Sequence, residues 1–295
     1  MSDVPAANVV ATPTVQNRRR SKWAMPIAVR LALSWICLML LAGVLANYLT
    51  SQDFTALDLR HRLVPPVGFG GTTAHLLGSD ELGRDVLARL LVSIRISLLI
   101  AFGATLIGAV LGITLGFLAA HFRGWVEQVV LACVDFQASM PFLILALAVL
   151  AFFGNSLPLF VALLGLHGWE RYARITRALT ISAGAQGYVT AVRQIGAGPW
   201  RLYLRHVLPN IASTLIVTMT IAFPDIILLE SGLSFLGLGV QPPLTSLGNM
   251  VGYGRDYLTR APWILVAPAV VISMTTLSIS LVGDWLRDRL DKTIS

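Results

Sequence analysis

Charged residues are scarce in this chain, and that scarcity excludes an ordinary soluble domain. Asp, Glu, Lys and Arg make up 13% of the 295 residues, whereas 56% are hydrophobic and the mean hydropathy is +0.74. A soluble domain carries about 25% charged residues because its surface faces water. This chain lacks the polar surface to cover a globule of its size, so lipid must be much of its solvent.

Lysine and cysteine are also rare. Twenty of the 22 cationic residues are arginine, and the arginines lie mostly in short segments between apolar runs. A nucleic-acid binder would show basic patches interleaved with aromatic residues, so we expect no nucleic-acid partner and interpret the arginines as topology signals. The two cysteines, Cys37 and Cys133, fall inside apolar runs, which predicts neither a disulfide nor a metal site.

Two catalytic sequence motifs are missing as well. A Walker A loop needs a lysine after glycine and before Ser or Thr, because that lysine contacts the phosphates of the nucleotide. Lys22 is followed by Trp23, and Lys292 is preceded by Asp291. No two histidines lie four residues apart, so a zinc-protease HExxH motif is excluded. The sequence therefore predicts no enzyme and no cofactor within this chain.

Long apolar runs predict an all-α polytopic membrane protein of about six transmembrane helices. The first run is about 23 residues, longer than the apolar core of a signal peptide, so we interpret it as a retained span and keep a cleaved signal peptide as the alternative. The fourth run is short enough to be re-entrant instead. The runs cover 27–49, 96–120, 129–153, 155–170, 207–233 and 264–286.

The distribution of Lys and Arg orients these spans. With the N-terminus inside, the inner segments hold 14 of these residues and the outer segments hold seven, which predicts that both termini lie in the cytoplasm. The predicted organisation is a disordered cytoplasmic tail at 1–26, a first transmembrane helix at 27–49, an external loop at 50–95, a core at 96–286 that contains a cytoplasmic loop at 171–206, and a cytoplasmic tail at 287–295.

The external segment before the second span is predicted to form an amphipathic helix. Ser79 or Asp80 can cap it, and Asp85 can pair with Arg89 one turn later. Apolar residues recur every four positions and form one face: Leu82, Val86, Leu90 and Ile94. We interpret the segment as an interfacial lead-in to the second span.

Three glycines in the second span share one helix face. Gly108, Gly112 and Gly116 are spaced four apart, which lets a neighbouring helix approach closely. The pattern predicts helix packing and names no activity.

Four acidic residues lie in or near the apolar runs: Asp135, Asp225, Glu230 and Asp284. A buried acid in a span is a candidate for function. Only Asp225 lies near the middle of a run, whereas Glu230 lies near an outer end, where its side chain could reach the interface or cap neighbouring groups. Asp225 keeps a proton-coupled secondary transporter open as the alternative function.

The loop at 171–206 is much longer than the other connections. A helix from about Gln186 to Ile195 would end at Gly196, because glycine suits a helix C-terminus. Pro199 suits the first turn of a second helix, which would lead into the fifth span. From physical reasoning two interpretations stay open: a cytoplasmic projection that contacts a partner, or a helix pair lying flat on the lipid headgroups.

This loop resembles the coupling loop of ABC importer permeases, whose motif is Glu-Ala-Ala, then Gly, then Leu-Pro. Three positions match with the family's spacing: Gly196, Leu208 and Pro209. Ala191 matches the middle of the triplet, while Thr190 replaces the usual Glu and Val192 replaces the second Ala. Segments at 75–90, 233–248 and 283–291 are similar to the C-type permeases of dipeptide, oligopeptide and nickel importers, in the same order.

The resemblance implies a type I ABC importer permease fold and a subunit that forms half of a membrane pathway for di-/oligopeptides or a related small solute. It also implies a location in the cell inner membrane beside a second homologous permease, with two ABC ATPase subunits on the cytoplasmic side that use ATP and magnesium, and an external substrate-binding protein. The residues implied in ATPase coupling are Tyr188, Thr190, Ala191, Val192, Gly196, Ala197, Arg201, Leu208 and Pro209.

Overall fold

The computed structural model describes residues 25–49 and 54–291, and the regular elements of these residues are helices. The all-α prediction is confirmed for this part of the chain. Most of the predicted tail at 1–26 lies outside the described residues. In chain order the α-helices are α1 (Ile27–Leu49), α2 (Val86–Phe122), α3 (Gly124–Ser139), α4 (Phe142–Phe153), α5 (Leu157–Gly165), α6 (Trp169–Gly184), α7 (Gly187–Gln194), α8 (Pro199–Leu202), α9 (Leu208–Phe235), α10 (Leu247–Gly254) and α11 (Trp263–Asp291).

Four helical stretches of the described residues are long and apolar enough to cross a membrane. They are α1, α2, the continuous stretch Pro199–Phe235 and α11, and the bent pair α3 and α4 is a fifth candidate. α1 has the bounds that were predicted for the first span, 27–49. The second is longer than predicted, since α2 has 37 residues, or about 55 Å of helix. The predicted tail at 287–295 is wrong in part, because α11 continues to Asp291.

The third predicted span, 129–153, is broken rather than straight. α3 and α4 meet at a bend of 89°. Met140, the residue before Pro141, has an extended backbone with φ −90° and ψ 133°, because the proline ring clashes with a helical residue in front of it. Proline also lacks the N–H that would continue the hydrogen bonds of α3.

The fourth predicted span, 155–170, is also two helices. α5 has nine residues, or roughly 13 Å, and the chain turns at Gly168, where φ is +87°. α6 then runs to Gly184. The predicted loop at 171–206 was therefore wrong in its first part, since 171–184 is helical and packed. The sequence analysis missed this helix because α6 carries three arginines, and charged residues between apolar runs indicated a loop.

The glycine face of α2 receives α5 and α6, as predicted. A Cβ atom built on Gly108 would lie 2.8 Å from the Gly165 carbonyl oxygen, and one on Gly112 would lie 2.3 Å from the Trp169 carbonyl oxygen. On Gly116 it would lie 2.7 Å from the Ala173 carbonyl oxygen. The contacted residues follow one another in the same direction as the glycines of α2. α5 and α6 therefore run parallel to α2, with their backbones in close contact.

The segment at 78–85, which was predicted to be external, does not form the predicted helix. α2 begins at Val86, and its cap is Asp85, whose side chain accepts from the Ala88 N–H at 2.8 Å. Asp85 pairs with His75, at 3.1 Å, rather than with Arg89. Arg89 pairs instead with Asp80, which is completely buried.

Asp80 explains why the segment folds as a turn. Its carboxylate accepts from the backbone N–H groups of Leu82 and Arg84, both at 2.9 Å, and from the Arg84 Nε at 2.7 Å. A carboxylate that satisfies local N–H groups in this way offers the backbone an alternative to a helix. The Asp80–Arg89 pair consequently holds the segment 78–85 against the start of α2.

The main hydrophobic core lies between α2, α9, α10 and α11. Its most buried members include Ile227, Leu233, Met250 and Ile264. α10 packs against both α9 and α11. A second, smaller core joins α6 to the start of α9, next to the loop that the sequence analysis singled out.

Candidate functional site

The loop between α6 and α9 contains the predicted helix and its predicted stop. α7 spans Gly187–Gln194, and Gly196 follows with φ +81°. The Gly196 N–H donates to the Arg193 carbonyl oxygen at 3.1 Å, and the Ala197 N–H donates to the Val192 carbonyl oxygen at 3.3 Å. This pair of bonds is a Schellman motif, which requires a residue in the left-handed region and so favours glycine. The prediction that the helix ends at Gly196 is confirmed.

The second predicted helix is confirmed as well. α8 begins at Pro199, in the first helical turn, and the chain continues through a π-helical stretch, Tyr203–Val207, into α9. The π-helical stretch lies directly before Leu208 and Pro209. Pro209 lacks the N–H that an α-helical bond at this point would need, and a one-turn π segment is a common way to absorb such a break.

A few buried side chains hold α7 against the bundle. Val189 is 2% exposed and packs with Ala183 of α6 and with Leu202, Val207 and Ile211 of the following helices. The Tyr188 hydroxyl accepts a hydrogen bond from the Asn210 side chain at 3.0 Å. The segment is therefore seated on the ends of α6 and α9, although most of its surface is free.

The outward face of α7 carries two positions of the motif's triplet, and Gly196 follows the helix. Thr190, Ala191 and Gly196 are exposed. Ala191 lies roughly opposite the buried Val189 around the helix, because two residues advance about 200°. A partner could therefore reach this face without disturbing the contacts that seat the helix.

Sequence reasoning missed two exposed apolar side chains beside this face. Ile195 is 82% exposed and Trp200 is 78% exposed. The sequence signal that could have identified them is the presence of large apolar residues in an otherwise polar loop. Their exposure to water is unfavourable, which indicates a contact surface. The anchoring role of Val189 was also missed, and only the tertiary contacts reveal it.

The charged residues of the segment 185–206 are all arginines. The segment holds Arg193, Arg201 and Arg205 and contains no Asp or Glu. All three arginines are exposed. A partner surface that binds this segment is expected to be acidic, because complementary charge speeds association and fixes orientation.

α6 links this segment to the membrane bundle. Arg174 pairs with Asp135 of α3 at 2.8 Å, and the Arg177 Nε donates to Glu127 of α3 at 2.6 Å. Together with the close glycine contacts to α2, these pairs hold α6 against two neighbours. A displacement of α7 would therefore move α6 and α2 together rather than bend a free loop.

Two of the acids in the apolar runs, Asp225 and Glu230, have polar partners in the structure. Asp225 faces Arg171 of α6 at 3.6 Å, and both side chains are about half exposed. Of the two structural roles considered for Glu230, reaching the interface is wrong. Glu230 is completely buried, and hydroxyl groups of Ser97 and Ser234 donate to its carboxylate at 3.2 and 2.7 Å. Glu230 thus ties α9 to α2.

Several known proteins are similar to this chain over most of its length. The di/tripeptide transport system permease protein DppC of Pseudomonas aeruginosa is 38% identical over 260 residues, which is 88% of this chain and 86% of that protein. The glutathione transport system permease protein GsiD of Pectobacterium atrosepticum is 35% identical over 222 residues, which is 75% of this chain and 74% of that protein.

A solved structure shares the fold. The MetNI methionine ABC transporter, in inward-facing conformations, matches with a TM-score of 0.55 at 20% identity, covering 68% of this chain and 96% of the matched chain. Residues 108–295 match the family described as "Binding-protein-dependent transport system inner membrane component". The matched region contains the glycine face, the α7 and α8 segment and the long helices α9 and α11. The chain belongs to this family of transport permeases.

Proposed function

We propose that this chain is one of two homologous permease subunits of an importer for small peptides or a closely related solute. An external binding protein delivers the solute, and two ABC ATPase subunits supply the energy with ATP and magnesium. The family match supports the permease role, and the di/tripeptide and glutathione transport relatives support the substrate class. Glutathione is itself a small peptide, so both named relatives favour the same chemistry.

In this proposal α7 is the contact with one ATPase subunit. The observation that carries it is the outward face of α7, which is exposed at Thr190 and Ala191 while the helix is seated through Val189. The basic charge of 185–206 favours an acidic groove in the partner. ATP-driven closure of the two ATPases would push on α7, and the α6 contacts with α2 and α3 would carry that displacement into the spanning helices.

The same proposal puts α7 and both chain termini in the cytoplasm. The excess of Lys and Arg in the inner segments supports this orientation. The ATPases must contact α7 where ATP is available, which requires the same side.

Ala191→Arg tests the α7 contact directly. Ala191 is exposed, so the variant should insert and fold while a bulky cation stands on the face offered to the partner. We expect uptake of a labelled dipeptide and co-purification of the ATPase subunits both to fall by about tenfold or more, since one misplaced group in an interface costs about 2 kcal/mol. Gln128→Arg, which adds the same charge to an exposed position of α3, is the matched control.

Normal uptake and normal ATPase recruitment in Ala191→Arg would contradict the proposed contact. An equal loss in Gln128→Arg would also contradict it, because the effect would then follow charge alone. Competition by unlabelled dipeptides, tripeptides and glutathione, but not by free amino acids, is the expected substrate profile.

A further inference from the structure

A small polar cavity lies where the end of α2 meets α6, α7 and α8. Its volume is about 270 Å³. Two guanidinium groups line it, from Arg123 directly after α2 and from Arg193 on α7, together with Thr180 and Tyr203. No carboxylate lines this cavity. Two cations thus share a cavity without an acidic side chain between them.

Among the described residues, the two arginines of this cavity have no acidic partner and its buried threonine has no hydrogen-bond partner. In the ranges 25–49 and 54–291, neither Arg123 nor Arg193 takes part in a salt bridge. Thr180 is 5% exposed, and its hydroxyl has no hydrogen-bond partner within the described part of the protein. Guanidinium groups bind phosphate through paired N–H donors, so this set of groups fits a phosphate.

An apolar groove begins on the other side of Tyr203. Its volume is about 360 Å³, and its lining is mostly aliphatic and aromatic, including Phe117, Leu118, Trp200 and Leu204. On α2 the lining runs from Ile113 to Phe122, a length of about 13 Å along the helix axis. That length and lining suit an alkyl chain that lies parallel to α2.

Tyr203 joins the polar cavity to the groove. It lines both, and its hydroxyl lies 2.9 Å from the His121 Nδ1 atom at the junction. Trp125 and Trp200 are each 78% exposed near the same end of α2. Exposed tryptophans of this kind are typical of the level of the lipid headgroups.

We propose that the cavity and the groove together bind one anionic phospholipid of the inner leaflet. Arg123 and Arg193 hold the phosphate, and the groove takes an acyl chain. A soluble anion would account for the arginines but leave the groove without a role, whereas a phospholipid occupies both. Basic pockets between spanning helices on the cytoplasmic side bind anionic headgroups in this way.

The site would connect membrane composition to ATPase coupling. Arg193 belongs to α7, and Arg123 belongs to the elbow between α2 and α3. A phosphate held by both therefore fastens α7 to the bundle. The inference rests on the cytoplasmic orientation proposed above, although lipid binding itself can be measured without transport.

The test measures phosphatidylglycerol bound to the assembled transporter in nanodiscs of phosphatidylcholine. For the double variant Arg123→Gln/Arg193→Gln we expect a roughly thirtyfold weaker affinity, since each Arg near an anionic headgroup contributes about fivefold. Arg174→Gln removes an inner arginine that lies outside the cavity lining and should bind lipid like the wild type. Leu204→Asp, in the groove, should lose lipid while both arginines remain.

Three results would overturn the proposal. The first is unchanged lipid affinity in the double variant, or an equal loss in Arg174→Gln. The second is displacement of the bound lipid by inorganic phosphate, or full lipid binding in Leu204→Asp, because either would indicate a site for a soluble anion. The third is a loss of ATPase binding by Arg193→Gln that is as large in discs of phosphatidylcholine alone as in discs that contain phosphatidylglycerol, which would assign Arg193 to a protein contact only. Loss of transport with intact lipid binding would count against the proposed function and leave the lipid site standing.

Discussion

Single glycines set the closest contacts in this protein. Along α2, every fourth residue from Gly108 to Gly116 lies against the backbone of α5 or α6, at distances that no side chain could occupy. Gly196 acts differently, since its surroundings are open and only its backbone angle excludes other residues. The same residue type thus serves two separate physical needs, one of space and one of conformation.

Gly112→Ala should destabilise the bundle. The added methyl group would lie 2.3 Å from a backbone carbonyl oxygen and 2.6 Å from the Tyr172 Cβ, so α6 must move away from α2. We expect a loss of about 1–3 kcal/mol, the usual cost of overpacking, seen as a lower thermal midpoint in detergent. Gly103→Ala on the same helix meets only the Val161 side chain at 3.5 Å and should stay near the wild type. Equal midpoints for the two variants would refute the close contact.

Gly196→Ala should loosen the end of α7 without affecting the bundle. A residue with a Cβ atom pays roughly 1–2 kcal/mol in the left-handed region, so the Schellman turn should fray. We expect about fivefold to thirtyfold weaker ATPase recruitment with an unchanged thermal midpoint. Gly198→Ala is the control, because Gly198 has φ −65° and open surroundings. If both variants recruit the ATPases alike, the backbone angle of Gly196 does not matter for coupling.

At the scale of elements, proline and buried charge decide where helices begin and end. Pro141 separates α3 from α4, and Asp85 caps α2 five or six residues after Ser79 or Asp80, the caps that the amphipathic pattern predicted. The pattern was misleading because Asp80 satisfies nearby N–H groups and draws Arg84 and Arg89 toward itself. Periodicity reports which residues are apolar, but it does not report which polar groups will be buried together.

Asp80→Asn should release the external segment from α2. Asp80 is completely buried and Arg89 is 3% exposed, so the variant leaves a buried guanidinium without its counter-charge. Breaking a buried pair in this way costs on the order of 3 kcal/mol. Thermal unfolding and limited proteolysis of the segment 54–85 would measure the effect. Glu81→Gln, which affects only the more exposed pair with Arg84, should have a much smaller effect, and the reverse ranking would contradict this account.

At the scale of the whole molecule, the helices form one bundle. The polar segment 185–206 lies at one end, and the segment 54–85, held by the Asp80 contacts, lies at the other. The bundle alone would suit many membrane proteins. Its assignment to a transport family depends on the order of the motifs and on the similarity to known permeases. The internal ion pair of Asp225 with Arg171 gives no support to the proton-coupled alternative.

Cysteine labelling tests the proposed orientation of the whole chain. Gly68→Cys lies in the external segment and Gly198→Cys lies between α7 and α8, and both positions have open surroundings. In a background lacking Cys37 and Cys133, a membrane-impermeant maleimide should label position 68 in intact cells. Position 198 should react only after permeabilisation, because the bilayer blocks the charged reagent. The opposite labelling pattern would place α7 outside and remove the basis for ATPase contact.

The sequence by itself determined the membrane class, the limits of α1, the glycine contact face, the stop of α7 at Gly196 and the family. These follow from composition, spacing and local backbone chemistry, which act within a few residues. Only the tertiary structure decided that 171–184 is a packed helix, that Glu230 is buried among serines, and that Arg123 and Arg193 share one cavity. A charge in a sequence does not name its partner, because that partner lies on another helix and is chosen by packing.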